Sequence, residues 1–169
     1  MALKGRVHLF GDDINTDYII AGKYRSIALD IKEMAKHVME DIDPQFTKKV
    51  KTGDFIVGGK NFGCGSSREY APKVIMETGV AVIIAHSFAR IFYRNCINSG
   101  LPAVECDITG FQNGDIIEMD LAAGIIRNLT QNTTHSFQKM PAFMERVLKE
   151  GGMVGYLKKN KELSADSLN

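Results

Sequence analysis

The hydrophobic period changes several times along the chain, and each change marks an element. Gly5 to Phe10 reads as a short strand. A polar turn, Gly11-Asp12-Asp13-Ile14-Asn15-Thr16-Asp17, leads from it to the apolar pair Ile19-Ile20. Leu29, Met34, Ala35, Val38 and Met39 recur near helical spacing and predict a helix over 30–40. Asp41 to Thr52 is polar and connecting, and Phe55-Ile56-Val57 forms a short strand that runs into Gly58-Gly59.

The middle of the chain has the clearest pattern. A glycine-rich turn, Asn61 to Gly65, opens a helical stretch with Ala71, Val74, Ile75 and Thr78 on one face and Gly79 placed to stop it. Val80 to Ala85 is a continuous apolar run, the mark of a strand covered on both faces. A second helix carries Phe88, Ile91, Phe92 and Ile97 and ends near Gly100; Leu101 to Val104 makes a further strand. Strand–helix–strand–helix–strand is the pattern of parallel α/β units.

The last third has a different character. Asp115 to Leu121 and Ile125 to Thr130, joined by Ala122-Ala123-Gly124, read as a β-hairpin. Pro141 to Glu150 reads as a short helix with proline at its start, broken by Gly151-Gly152. Val154 and Leu157 are the last apolar pair before a polar tail, 158–169, expected to fray. The 169 residues fit one domain, spanning 1–157, without repeats or low-complexity tracts.

Charge narrows the function classes. With 21 Lys+Arg against 20 Asp+Glu, the net charge of +1 argues against a nonspecific nucleic-acid binder. The longest apolar stretch is far too short to span a bilayer, and the N-terminus has no apolar signal core, so no membrane partner is expected. Cys64, Cys96 and Cys106 are odd in number and widely spaced, with no C-x-x-C. A disulfide scaffold is thereby excluded, and a metal or iron–sulfur site within the chain is not expected. Free thiols fit a reducing, cytoplasmic setting.

Four segments carry candidate chemistry. In Asn61-Phe62-Gly63-Cys64-Gly65-Ser66-Ser67-Arg68-Glu69, the glycines allow close backbone approach and the serines stand before a helix, where anions are favoured. Arg68 adds a cation able to grip a carboxylate with two hydrogen bonds. The same letters fit an S-x-x-E capping box, in which Ser66 does no more than cap, and Pro72 complicates both versions. The three aspartates of Gly11 to Asp17 suit an acidic metal loop, an Asp17 that orients Arg68, or a plain strand-exit turn. In the stretch from His86 to Asn95, Arg90 and Arg94 share a helix face and Arg94 and Asn95 are candidates for a carboxylate; a solvated face is the alternative, and His86 reads as structural. Lys23-Tyr24-Arg25-Ser26 is a basic loop.

Taken together, Gly11 to Asp17, Asn61 to Glu69 and Ser87 to Asn95 resemble, in order, the motifs of 3-isopropylmalate dehydratase small subunits, the swivel-domain branch of the aconitase superfamily. The likeness runs through residues 5–157. It implies an α/β fold, a three-layer β/β/α swivelling domain with a mixed parallel and antiparallel sheet. It also implies a heterodimeric hydro-lyase of leucine biosynthesis that isomerises 2- and 3-isopropylmalate by dehydration and rehydration. The [4Fe–4S] cluster would sit on a separate large subunit, with no cofactor or metal on this chain, and the substrate would be a small dicarboxylic hydroxy acid. By the same resemblance Ser66 is the catalytic base, and Ser67, Arg68, Asp17 and Arg25 bind substrate. The family often has His where Tyr70 stands. Lys23 to Ile27 lies where relatives differ by substrate, so homoaconitase and citraconate or 2,3-dimethylmalate hydratases remain alternatives: Arg25 reaches a distal carboxylate, as in homoaconitase-like enzymes, or sits off register, and Ile27 is the candidate contact for the apolar group of isopropylmalate. More distant readings are a stand-alone anion-binding module and a structural interaction domain without chemistry.

Overall fold

The first strand, β1 (Ala2–Leu9), is the seam of a seven-stranded sheet. After it come α1 (Thr16–Ile19), α2 (Lys23–Ile27), α3 (Ile31–Ala35), α4 (Phe46–Lys49), β2 (Phe55–Gly58), α5 (Tyr70–Glu77), β3 (Val82–Ala85), α6 (Arg90–Ser99) and β4 (Ala103–Glu105). The remainder is β5 (Ile116–Asp120), β6 (Ile125–Asn128), β7 (Thr133–Ser136), α7 (Ala142–Lys149) and α8 (Met153–Asn160). The structure is a computed structural model that describes residues 2–27 and 30–160. The strand order is β4-β3-β2-β1-β5-β6-β7. β1 to β4 are parallel, with Val7 opposite Phe55, Phe55 opposite Val82 and Ile83 opposite Ala103. β5 joins the other edge of β1 antiparallel, Leu3 opposite Met119, and β6 and β7 continue antiparallel.

Alternation along β2 and β3 builds two cores at once. Ile56, Ile83 and Ala85 face the helices and pack with Phe62, Val74, Ile75 and Phe92. Phe55, Val57, Val82 and Ile84 point the other way and pack with Ile117, Met119 and Ile126 of the antiparallel half. That half therefore curls over the second face of the parallel strands, giving the β/β/α layering. Both central strands are buried at every position, as their unbroken apolar runs require. A smaller cluster of Ile97, Val147 and Tyr156 ties α7 and α8 onto α6.

Polar anchoring at the seam is provided by His8 and Asp54. Their side chains are buried, with Nε2 and Oδ2 at 2.9 Å. Asp54 also accepts the backbone N–H groups of Arg6 and Lys51, each at 2.9 Å. Burial pushes the Asp54 carboxyl up, but the bonds from His8, Arg6 and Lys51 outweigh it and hold the group below the usual carboxylate range.

Several elements depart from the sequence reading. The helix over 30–40 stops at Ala35: Met39 has φ +60° and gives its N–H to the Ile19 carbonyl at 3.0 Å, so the chain turns instead of coiling on. Leu29 lies outside the described residues. The basic loop is the helical turn α2, and the connecting stretch contains α4, anchored by fully buried Phe46. β7 is an additional edge strand of Thr133–Ser136, and α8 carries helix to Asn160, past the expected start of the tail. Gly79, at φ +94°, follows α5 as expected for its stop.

Candidate active site

Three loops leave the carboxyl ends of β1, β2 and β3 and zip together. Asp13 N–H bonds the Lys60 carbonyl at 2.8 Å, Gly63 N–H the Ile14 carbonyl at 2.7 Å, and Thr16 N–H the Cys64 carbonyl at 2.8 Å. The loop after β3 joins them as Phe62 N–H bonds the Ser87 carbonyl and Ala89 N–H the Phe62 carbonyl, both at 2.9 Å. A site above the carboxyl ends of parallel strands is where open α/β sheets bind ligands.

The acidic loop spends its carboxylates on this zipping. Asp12 accepts the Lys60 N–H at 2.7 Å, and Asp13 the Asn61 side-chain amide at 2.9 Å, both Asp13 and Asn61 lying at positive φ. Asn15 caps α1 by accepting from the N–H groups of Asp17 and Tyr18. The three aspartates therefore point to different partners, and among the described residues no three or more His, Cys, Asp or Glu are grouped as they would be around a metal ion.

Arg68 is brought to α1 by the same arrangement. Its Nη1 donates to the carbonyls of Ile20 at 2.6 Å and Thr16 at 3.2 Å, and its Nη2 donates to Asp17 Oδ1 at 2.5 Å. Three of its five N–H donors are thus committed, leaving Nε–H and the second Nη2–H for a ligand. Thr16 is buried, and its hydroxyl donates to the Ser66 carbonyl at 2.8 Å.

The capping alternative for Ser66 does not hold. α5 begins at Tyr70, after Glu69, so Ser66 stands outside the helix. A helix capped at Ser66 would place Pro72 against the Arg68 carbonyl, where its ring clashes; starting at Tyr70 puts Pro72 in the first turn, where no N–H is needed. Ser66 and Ser67 are exposed on the wall of a cleft of about 310 Å³, beside Thr16 and Arg68. The opposite wall is the start of α6, with Arg90, Ile91 and Asn95. Arg94 lines a separate hollow with Tyr93, Glu105 and Met144.

Arg25 stands on α2, but its side chain lies outside the described residues. Its neighbour Tyr24 stacks on His37 at 3.9 Å and donates to Glu40, which also meets His37 and Lys23. His86, expected to be structural, is exposed at the end of β3; the buried histidine is His8, which the sequence reading passed over. Cys64 is partly exposed, and burial raises its thiol. Burial also pushes Cys106 up to about 11 and Cys96 higher still.

A mixed, curled sheet with a serine–arginine cleft over its parallel ends defines a class, and the sequence model of the aconitase C-terminal domain matches residues 14–107. A 3-isopropylmalate dehydratase small subunit of Caldicellulosiruptor saccharolyticus is 49% identical over 172 residues, covering 100% of this chain and 99% of the relative. Small subunit 1 of Thermotoga maritima is 50% identical, covering 94% of this chain and 96% of its own. The crystal structure of a 3-isopropylmalate dehydratase from Methanocaldococcus jannaschii superposes with a TM-score of 0.91 at 48% identity, covering 95% and 96% of the two chains. The chain belongs to the aconitase C-terminal domain family, among the small subunits of 3-isopropylmalate dehydratases. No described helix is long and apolar enough to cross a membrane.

Proposed function

We propose that this chain is the small subunit of a cytoplasmic hydro-lyase that interconverts 2- and 3-isopropylmalate in leucine biosynthesis, working with a large subunit and with neither nucleic acid nor membrane. The observation that carries the reading is the turn at 66–68, which puts an unbonded hydroxyl and a part-committed guanidinium on one wall of one open cleft.

The reaction removes a proton from a carbon beside a carboxylate. Ser66 Oγ acts as the alkoxide, stabilised by neighbouring backbone N–H groups and Arg68, and becomes a neutral hydroxyl when it takes that proton; the electron pair stays on the substrate carbon beside its carboxylate. Ser67 and the free N–H pair of Arg68 hold a substrate carboxylate, a fork suited to two parallel hydrogen bonds. Asp17 orients Arg68, and Arg25 of α2 is a further substrate-binding residue. A [4Fe–4S] cluster on the large subunit supplies the Lewis acid for the departing hydroxyl. The chain's three separated cysteines offer no ligand set for it.

The test is reconstitution with the large subunit from the same cell and a panel of isopropylmalate, homocitrate, citraconate and 2,3-dimethylmalate. Isopropylmalate should be turned over fastest, and only by the pair. Equal or faster turnover of another member would move the assignment to that substrate. Activity of the isolated chain would end the shared-site reading.

A further inference from the structure

Thr16 binds the Ser66 turn with every polar group it has. Its N–H reaches the Cys64 carbonyl at 2.8 Å, its hydroxyl the Ser66 carbonyl at 2.8 Å, and its own carbonyl accepts from Arg68 Nη1 at 3.2 Å. The backbone of the turn is therefore bonded to Thr16 at Cys64 and at Ser66, and the Arg68 side chain returns to the same residue. The hydroxyl is free for this because Asn15 already caps α1. Thr16 is 2% exposed, so its hydroxyl must find a partner inside the protein, and it finds one fifty residues away.

We propose that Thr16 is a positioning residue for Ser66: its hydroxyl sets the Ser66 peptide plane and so aims the serine side chain into the cleft. This rests on the reading of Ser66 as the base. The pins at Cys64 and Arg68 are independent of the hydroxyl, so its removal leaves the turn attached and the Ser66 peptide free to rotate. Misplacement of a reacting group by about 1 Å costs on the order of 10²-fold in rate, and substrate held by Ser67 and Arg68 is affected less.

The experiment is made in the reconstituted two-subunit enzyme. Thr16→Val keeps the volume and the backbone pins and removes the donor; Thr16→Ala serves if the valine variant does not fold. Either should lower kcat by about 10- to 10²-fold while KM stays within about threefold. Thr16→Ser should restore kcat. Thr16→Val combined with Ser66→Gly should be no slower than Ser66→Gly alone, because a residue acting through Ser66 has nothing left to position. A Thr16→Val enzyme with wild-type kcat overturns the proposal, as does a double variant slower by the full Thr16 factor. A Ser66→Gly enzyme of full activity overturns the reading of Ser66 beneath it, and that outcome is read from the single variant alone.

Discussion

Arg68 Nη2 meets Asp17 Oδ1 at 2.5 Å across 51 residues of sequence, and this bond sets the direction of the guanidinium at the cleft. Arg68 is largely enclosed while Asp17 is about half exposed, so the pair contributes orientation more than stability. Asp17→Asn keeps an acceptor and removes the charge. It should raise KM about three- to tenfold, the scale of one charge-assisted bond made neutral, with a smaller change in kcat and little change in melting temperature. Steady-state kinetics of the reconstituted pair checks this.

Ser66 is exposed and outside α5, so its replacement has little structural cost. Both Ser66→Ala and Ser66→Gly should melt within about 0.5 kcal/mol of the parent while losing roughly 10²–10⁴ in turnover. Ser67→Ala should weaken substrate binding more than the chemical step. An enzyme with Ser66→Gly that keeps more than about a tenth of its turnover would remove the serine from the mechanism.

Gly63 is the point where the turn touches α6. It has φ +80°, and a Cβ there would lie 2.1 Å from the Phe92 ring. Gly63→Ala therefore meets both a backbone penalty and overpacking, each about 1–3 kcal/mol. Chemical denaturation should show a loss of that order, and activity should fall further because the ring can yield only by moving α6 against the cleft.

Acid should weaken the seam through Asp54. Its folded pKa lies below the unfolded value, so its contribution is present above about pH 4 and is lost as pH falls through the folded value. Asp54→Asn should cost about 1–3 kcal/mol at neutral pH. It should also flatten the fall of melting temperature below about pH 4. An unchanged acid limb in the variant would show that the sensitivity resides elsewhere.

The legible parts of the fold were those with period and punctuation in the same place. Val80 to Ala85 reads as a covered strand because nothing polar interrupts it, and Gly79 and Gly100 close the flanking helices where the apolar faces end. α1 and α4, four residues each, are shorter than the window in which a helical period shows. β7 is Thr-Thr-His-Ser at the sheet edge, mostly exposed, and carries no apolar alternation. Within the site, Asp17 beside Arg68 was nameable from charge alone. Thr16 was not: a threonine in a polar turn looks like any other until the backbone shows which carbonyl it faces. The capping pattern at Ser66 matches four letters that the structure does not use, since α5 starts at Tyr70 with Pro72 in its first turn.

The place of β1 in the sheet has a consequence in time. Ala2–Leu9 is made well before its neighbours, which are β2, from residue 55, and β5, from residue 116. Until β2 has left the ribosome both edges of the strand are bare; until β5 follows, one edge stays bare and the apolar layer between the halves has no second wall. Pairings this distant in sequence form slowly. The nascent chain must carry its central strand with at least one bare edge until residues 116–120 have been made, which makes that interval the one in which a chaperone has most to hold.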